Sequence, residues 1–361
     1  MRNKEISVSA PGRICLFGEH QDYLGLPIIA GAINLRISIR GSLRKDRQIN
    51  ISLSDLNKEK NFLLDLDKEL TYSSKRDYLI SAINVLRRSG ISLPNGLDCC
   101  IHGTIPINSG TASSSALVVA WIKYLLEAAK EKNDQHPETI AKLAFLSEVA
   151  EFKEPGGKMD HYTSSLGGII CIHFDRKIKV KRLKNSLKEF VLADSLQRKD
   201  TTCTLAAIKK NVFDAIEIVR KKIKDYNLKS PLNSEIREEI EKLPSLQKRL
   251  LKGTIMTRDL TAEGEALFKS DEFDHVRFGK LLTSQQDILR DYLQISTPKI
   301  NRMIETSLEA EALGAKINGS GEGGCIFAYT PEKAEQVAEA LRKLDTKAYI
   351  VQIDDGVRRN A

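Results

Sequence analysis

The stretch Ala10-Pro11-Gly12-Arg13-Ile14-Cys15-Leu16-Phe17-Gly18-Glu19-His20-Gln21-Asp22-Tyr23 decides how the chain is read. It holds a Pro-Gly turn, an arginine, a short apolar run and then a polar cluster. Apolar segments flank the cluster, Ile14 to Phe17 before it and Leu26 to Ile33 after it. Both have the length and composition of buried strands. The loop between them then carries Glu19, His20 and Asp22 close together. Carboxylates and imidazole accept hydrogen bonds, so such a loop suits a hydroxyl-rich ligand; a solvated polar turn accounts for the same residues.

Further strand-like runs surround this stretch: Ile6–Val8, Pro27–Ile33, Ser38–Leu43 and Ile49–Leu53. Residues 77–89, DYLISAINVLRRS, place apolar side chains at helical spacing and stop before Gly90. Leu97 to Ile105 reads as a strand. The segment ALVVAWIKYLLEAAK, from Ala116, reads as an apolar helix, and Pro137 opens another that runs to about Phe152. A short element, Lys158 to Leu166, follows Pro155-Gly156-Gly157, and Gly168 to Phe174 is a buried strand. Past residue 180 the character shifts to charged helices near 201–226, 233–251, 258–269 and 276–292. A strand, glycine turn and strand at 315–329, a helix at 332–344 and a strand at 347–353 close the chain. The mixture predicts an α+β protein of two domains, 1–185 and 186–361; 361 residues exceed one ordinary core.

The net charge is +8, but Lys and Arg are spread along the chain. The run Arg220-Lys221-Lys222-Ile223-Lys224 reads as a solvated helix face rather than a nucleic-acid patch. A basic balance also suits an anionic small substrate such as a nucleotide. None of the six cysteines forms a Cys-x-x-Cys pair, which predicts reduced thiols in a cytoplasmic protein. The opening MRNKEISVSAPG lacks the apolar core of a signal peptide, and no apolar run has the length of a membrane span.

Three further stretches can carry chemistry. Asn108-Ser109-Gly110-Thr111-Ala112-Ser113-Ser114-Ser115 leads directly into a helix. Small residues let backbone N–H groups approach an anion, and the helix dipole favours one. A serine-rich helix cap is the alternative. Gly319-Ser320-Gly321-Glu322-Gly323-Gly324 lies between strands, not between strand and helix, which argues against a dinucleotide fingerprint. Gly156-Gly157-Lys158-Met159-Asp160-His161 puts Asp160 in the first turn of a helix, as a functional carboxylate or as a plain capping one.

In this order the stretches resemble the three motifs of the GHMP kinases, the superfamily of galactokinase, homoserine kinase, mevalonate kinase and phosphomevalonate kinase. The opening stretch is similar to the galactokinase signature. The 105–116 loop is similar to the phosphate-binding motif, with Thr111 where leucine is usual, and 316–325 to the glycine-rich third motif. Phe278 to Pro298 resembles the family's C-terminal helical stretch.

The resemblance implies a mixed-sheet N-terminal domain, an α+β ferredoxin-like C-terminal domain and an active site between them. It implies a cytoplasmic sugar 1-kinase using ATP and Mg²⁺ on galactose or a related sugar, with no nucleic-acid or membrane partner. By motif position, Asp160 is the base that deprotonates the sugar hydroxyl and Arg13 the arginine beside it. Asn108, Ser109, Gly110, Thr111, Ala112, Ser113, Ser114 and Ser115 hold the nucleotide. Ser114 and Glu148 are the Mg²⁺ ligands, Glu151 being possible only with a gap. Glu19, His20, Asp22 and Gly157 match sugar-binding positions.

The chain departs from the galactokinase pattern in two places. Gly156 to His161 stands where cysteine-glycine-isoleucine-methionine-aspartate-glutamine is usual, and 198–213 lacks an arginine-arginine-x-x-cysteine-glutamate segment and the tyrosine expected before it. Galacturonate, another aldose or mevalonate are therefore alternative substrates, with the two acids on the sugar loop arguing against mevalonate. A catalytically silent sugar sensor is a further alternative, against which the retained Asp160, Arg13 and Ser114 speak.

Overall fold

The computed structural model describes residues 5–53, 60–131, 135–198 and 201–360. The chain runs β1 (Ile6–Phe17), β2 (Ile28–Leu43), β3 (Gln48–Leu53), β4 (Lys60–Asp65), α1 (Tyr78–Arg88), β5 (Leu97–Gly103), α2 (Ser113–Ala128), α3 (Pro137–Phe145), α4 (Met159–Leu166), β6 (Ile169–Phe174) and β7 (Ile178–Leu183). It continues with β8 (Phe190–Asp194), α5 (Thr201–Arg220), α6 (Ser234–Glu241), α7 (Ser245–Phe268), α8 (His275–Ile288), α9 (Pro298–Glu309), β9 (Gly314–Ile317), β10 (Cys325–Tyr329), α10 (Ala334–Arg342), β11 (Lys347–Val351) and β12 (Arg358–Arg359).

Two separate sheets result. The first has the order β12-β1-β2-β5-β3-β4, with β6 on β2 and β7 on β6. It is mixed, because β3 pairs with β5 in parallel while the other pairs are antiparallel. The second has the order β11-β8-β10-β9, all antiparallel. Taken in chain order its strands stand fourth, first, third, second, which is the ferredoxin-like arrangement. Ile14, Leu16, Phe17 and Ile29 of the first sheet share one apolar core with Phe190, Leu192, Cys325 and Phe327 of the second.

Three features depart from the sequence reading. The Pro11-Gly12 pair is a bulge inside one continuous strand, not a turn: the β1–β2 register shifts between Pro11 and Arg13. At Gly12 the backbone of the loop before α2 comes so close that a Cβ would lie 2.9 Å from the Thr111 carbonyl oxygen. The helix expected to break near residues 252–257 runs unbroken through Gly253 and starts instead after Pro244, which sits at its N-cap. Gly253 is required there because a Cβ would lie 2.6 Å from the Tyr292 side chain. Finally, the chain end leaves the second sheet. Val8 and Ser9 pair with Arg359 and Arg358, and Arg36 donates to Asp354 at 2.7 Å, so residues grouped with 186–361 complete the first sheet. Residues 1–4 of the N-terminal MRNKEISVSAPG and 199–200 of the 198–213 segment lie outside the described residues.

Candidate active site

A cavity of about 180 Å³ opens between the two sheets' lobes. Its walls take Arg13 from β1, Glu19, His20 and Asp22 from the loop after it, Ser113 to Ser115 from α2, Asp160 from α4 and Thr201, Thr202 and Leu205 from α5. Gly319 and Ser320 of the second glycine loop complete it.

The centre is an ion pair. Arg13 Nε donates to Asp160 Oδ1 at 2.7 Å. Arg13 is buried and also donates through Nη1 to the Gly110 carbonyl. Burial works against its charge, but the charge and hydrogen bond of Asp160 outweigh this and push the guanidinium up. Asp160 keeps 29% of its side chain exposed, towards the cleft. The N-cap of α4 is Lys158, so Asp160 sits inside the first turn and holds an arginine rather than capping the helix.

Asp22 lies beside this pair. Its carboxylate accepts from the Met159 N–H at 3.0 Å and the Tyr23 N–H at 2.9 Å. Burial pushes its pKa up, the Met159 hydrogen bond opposes this, and the nearby Asp160 charge adds to the rise. The carboxylate fits only because residue 157 is glycine, where a Cβ would overlap both carboxylate oxygens. Glu19 is fully buried and paired with Lys316, whose Nζ also donates to the carbonyls of Cys15 at 3.1 Å and Ile317 at 2.9 Å. Glu19 Oε2 has no hydrogen-bond partner. His20 takes a left-handed φ of 61° and is held by Tyr23 Oη at Nδ1, 2.8 Å, and the Ser320 carbonyl at Nε2, 3.1 Å.

The loop before α2 alternates its backbone hand: Asn108, Gly110 and Ala112 have φ of 56°, 88° and 60°. Such alternation turns successive N–H groups to one side and makes an anion-binding concavity. The N-cap of α2 is Ala112, with no side-chain cap bond, so the capping alternative does not describe this helix start. Asn108, Gly110, Ala112, Ser113, Ser114 and Ser115 line the cleft, whereas Ser109 and Thr111 do not. Their hydroxyls bond each other at 2.9 Å and the Pro106 carbonyl, which holds the loop's shape from inside.

Glu148 enters from a single π-helical turn, Leu146–Ala150, that continues α3. It is buried and lies 2.7 Å from His161 Nε2. Burial raises its pKa, but the His161 hydrogen bond and charge, then the Ser114 and Ser115 hydroxyls, bring it below the ordinary carboxylate value. Glu148 and Ser114 therefore meet. Glu151 does not line the cleft and pairs with Arg88 at 2.5 Å and with Tyr72. Lys158 also stays out of the cleft wall, its Nζ 5.1 Å over the Phe145 ring.

Several residues escape the sequence reading. Asn318 donates to the Gly110 carbonyl at 3.0 Å and the Arg13 carbonyl at 3.3 Å and accepts from the Cys15 N–H at 2.9 Å, tying three motifs together. Its only signal is its place before the glycine run. Lys316 and His161 matter through Glu19 and Glu148, 297 and 13 positions away, and no local pattern marks them. Arg76 reaches the cleft from the segment before α1, bonded to Glu154 at 2.7 Å and to Thr202 across the lobes.

Comparison with known proteins places this geometry. The GHMP kinases N terminal domain matches residues 77–168, the GHMP kinases C terminal domain 265–346, and the galactokinase galactose-binding signature 2–42, together more than half of the chain. The chain belongs to the GHMP kinases. Members of this superfamily use ATP. A galactokinase of Mannheimia succiniciproducens is 26% identical over 94% of this chain and 89% of its own length. A mevalonate kinase of Pyrococcus furiosus is 28% identical over 94% and 93%. The crystal structure of Lactococcus lactis galactokinase complexed with galactose superposes with a TM-score of 0.85 at 19% identity, covering 99% of this GHMP kinase and 95% of that chain. Among the described residues no helix is long and apolar enough to cross a membrane.

Proposed function

We propose that the chain is an ATP-dependent sugar kinase that phosphorylates the anomeric hydroxyl of galactose or a closely related sugar. The observation that carries this reading is the Arg13–Asp160 pair, open to a cleft that also holds Asp22, Glu19 and the uncapped start of α2. Asp160 accepts the proton of the attacking hydroxyl, and the hydrogen bond from Arg13 Nε holds its carboxylate in position. Asp22 and the free Oε2 of Glu19 accept hydrogen bonds from sugar hydroxyls. The left-handed turns of 108–112 and the α2 N-terminus receive the phosphates.

The Ser114 hydroxyl and Glu148 carboxylate are adjacent oxygen donors of the kind Mg²⁺ takes. Bound there, Mg²⁺ would neutralise phosphate charge. Phosphoryl transfer otherwise depends on positioning, which the cleft walls supply.

The galactose-binding signature over residues 2–42 and the likeness to a galactokinase bound to galactose support the sugar. A mevalonate reading is the second one, because the Pyrococcus furiosus relative is as similar as the galactokinases. Charge repulsion disfavours it less than the sequence implies, since buried Lys316 balances Glu19. Lys158, two residues before Asp160, is the cation that a uronate carboxylate would need, but its ammonium sits over Phe145, so a galacturonate reading is not favoured. ATP turnover against galactose, galacturonate, other aldoses and mevalonate decides among these. Galactose preferred by tenfold or more, about 1.4 kcal/mol, is the expected result; the same preference for mevalonate would overturn it.

A further inference from the structure

Outside the cleft wall, β6 meets α7 at a second cluster. Cys171 and His173 stand two residues apart on β6, so their side chains leave the same face of the strand. Glu265 comes from α7. Cys171 Sγ lies 3.3 Å from His173 Nε2, and the same nitrogen lies 3.2 Å from Glu265 Oε2. The three ligand atoms are all within 4.8 Å of one another.

A histidine that relays a proton addresses its two partners through different nitrogens. Here both partners crowd Nε2, which offers one N–H or one lone pair and can serve only one of them. A tetrahedral zinc ion with ordinary bonds to sulfur, nitrogen and oxygen sets its ligand atoms roughly 3.3–3.6 Å apart. The two spacings at His173 Nε2, 3.3 Å and 3.2 Å, are close to those edges.

We propose that Cys171, His173 and Glu265 form a binding site for Zn²⁺ or a similar borderline transition-metal cation, with the fourth position open to water. The thiolate and imidazole donors select against Mg²⁺. Lys181 and Lys269 hold the other oxygen of Glu265, Oε1, at 3.1 Å and 2.9 Å and leave Oε2 turned to the histidine. Both lysine side chains are more than half exposed, so water screens their repulsion of the cation. Burial first, then the Glu265 charge, pushes the Cys171 thiol up to about 12. Metal binding replaces that proton, releasing it to solvent as the metal–sulfur bond forms. His173 is partly exposed and gives the ion a way in. The bound ion would clamp the first sheet to α7, the helix whose Thr254 carbonyl holds Gln21 of the sugar loop at 2.8 Å.

The test uses the full chain, freed of metal by a chelator and titrated with Co²⁺, followed by Zn²⁺. The expected result is a thiolate-to-cobalt charge-transfer band and intense tetrahedral visible bands that saturate at one equivalent and bleach on zinc addition. Cys171→Ser should abolish the charge-transfer band, and His173→Gln and Glu265→Gln should weaken binding at least tenfold. Cys203→Ser should keep the full spectrum. Zinc should raise the Tm of the wild type and not of His173→Gln, a partly exposed position where folding is not at stake. A spectrum without thiolate character, or one that survives both Cys171→Ser and His173→Gln, would overturn the site. Loss of the signal in Glu148→Gln instead would place the metal in the cleft and overturn it equally.

Discussion

Arg13–Asp160 and Lys316–Glu19 are cation–carboxylate pairs built differently: both members of the first line the cleft, and only Glu19 of the second does. Arg13–Asp160 leaves its carboxylate 29% exposed, whereas Lys316–Glu19 is 0% and 1% exposed. The first pair presents its carboxylate to the cleft. The second is sealed: Lys316 spends its three N–H bonds on Glu19 and two backbone carbonyls, and it joins β9 to the loop after β1. A carboxylate that water reaches is chemically available; a carboxylate enclosed with its counter-charge is an architectural group.

Asp160→Asn breaks the first pair chemically and leaves its shape. Turnover should fall by ~10²–10⁴ while nucleotide still binds, as seen by steady-state kinetics beside calorimetric ATP titration. An unchanged rate would remove Asp160 from the role of base. Lys316→Ala breaks the second pair and leaves a buried uncompensated charge. It should cost about 3–5 kcal/mol in urea unfolding, and adding Glu19→Gln should restore part of the loss. Equal instability of the single and double variants would show that Lys316 contributes packing rather than charge.

Gly157→Ala tests the space beside the open pair. The new Cβ overlaps the Asp22 carboxylate, so the sugar KM should rise about tenfold with little change in the KM for ATP. The smallest effect concerns Glu148. Its folded-state pKa lies below the ordinary 4.5. Its contribution to stability is therefore fully present above about pH 4.5 and lost as the pH falls through the lower folded value. Glu148→Gln should remove that part of the acid limb, so that its Tm declines less steeply than wild type below about pH 4.5; parallel Tm curves would refute the shift.

Much of this is legible in the sequence. The Arg13 to Asp22 stretch, the small-residue loop and Asp160 carry local signatures, because loop hand, helix start and first-turn acid are consequences of neighbouring residues. The α+β class follows from the same kind of local periodicity. The Pro11-Gly12 pair shows where local signs mislead: a turn pair became a bulge because β2 pairs along both sides of it. Gly253 misleads likewise, since a helix interior accepts glycine when a neighbour must come close.

By itself the sequence determined the order of motifs, the residue types that can take a proton or an anion, and the superfamily those motifs resemble. Only the tertiary structure decided which of them act together. Lys316 meets Glu19 and Asn318 meets Gly110 across some three hundred and two hundred positions. His161 and the serines of α2 turn to Glu148 rather than Glu151 because a π-helical turn aims that side chain inward. The end of the chain closes the first sheet at Val8 and Ser9. Contacts of this kind depend on packing between distant elements, and a spacing rule within one helix or strand contains no information about them.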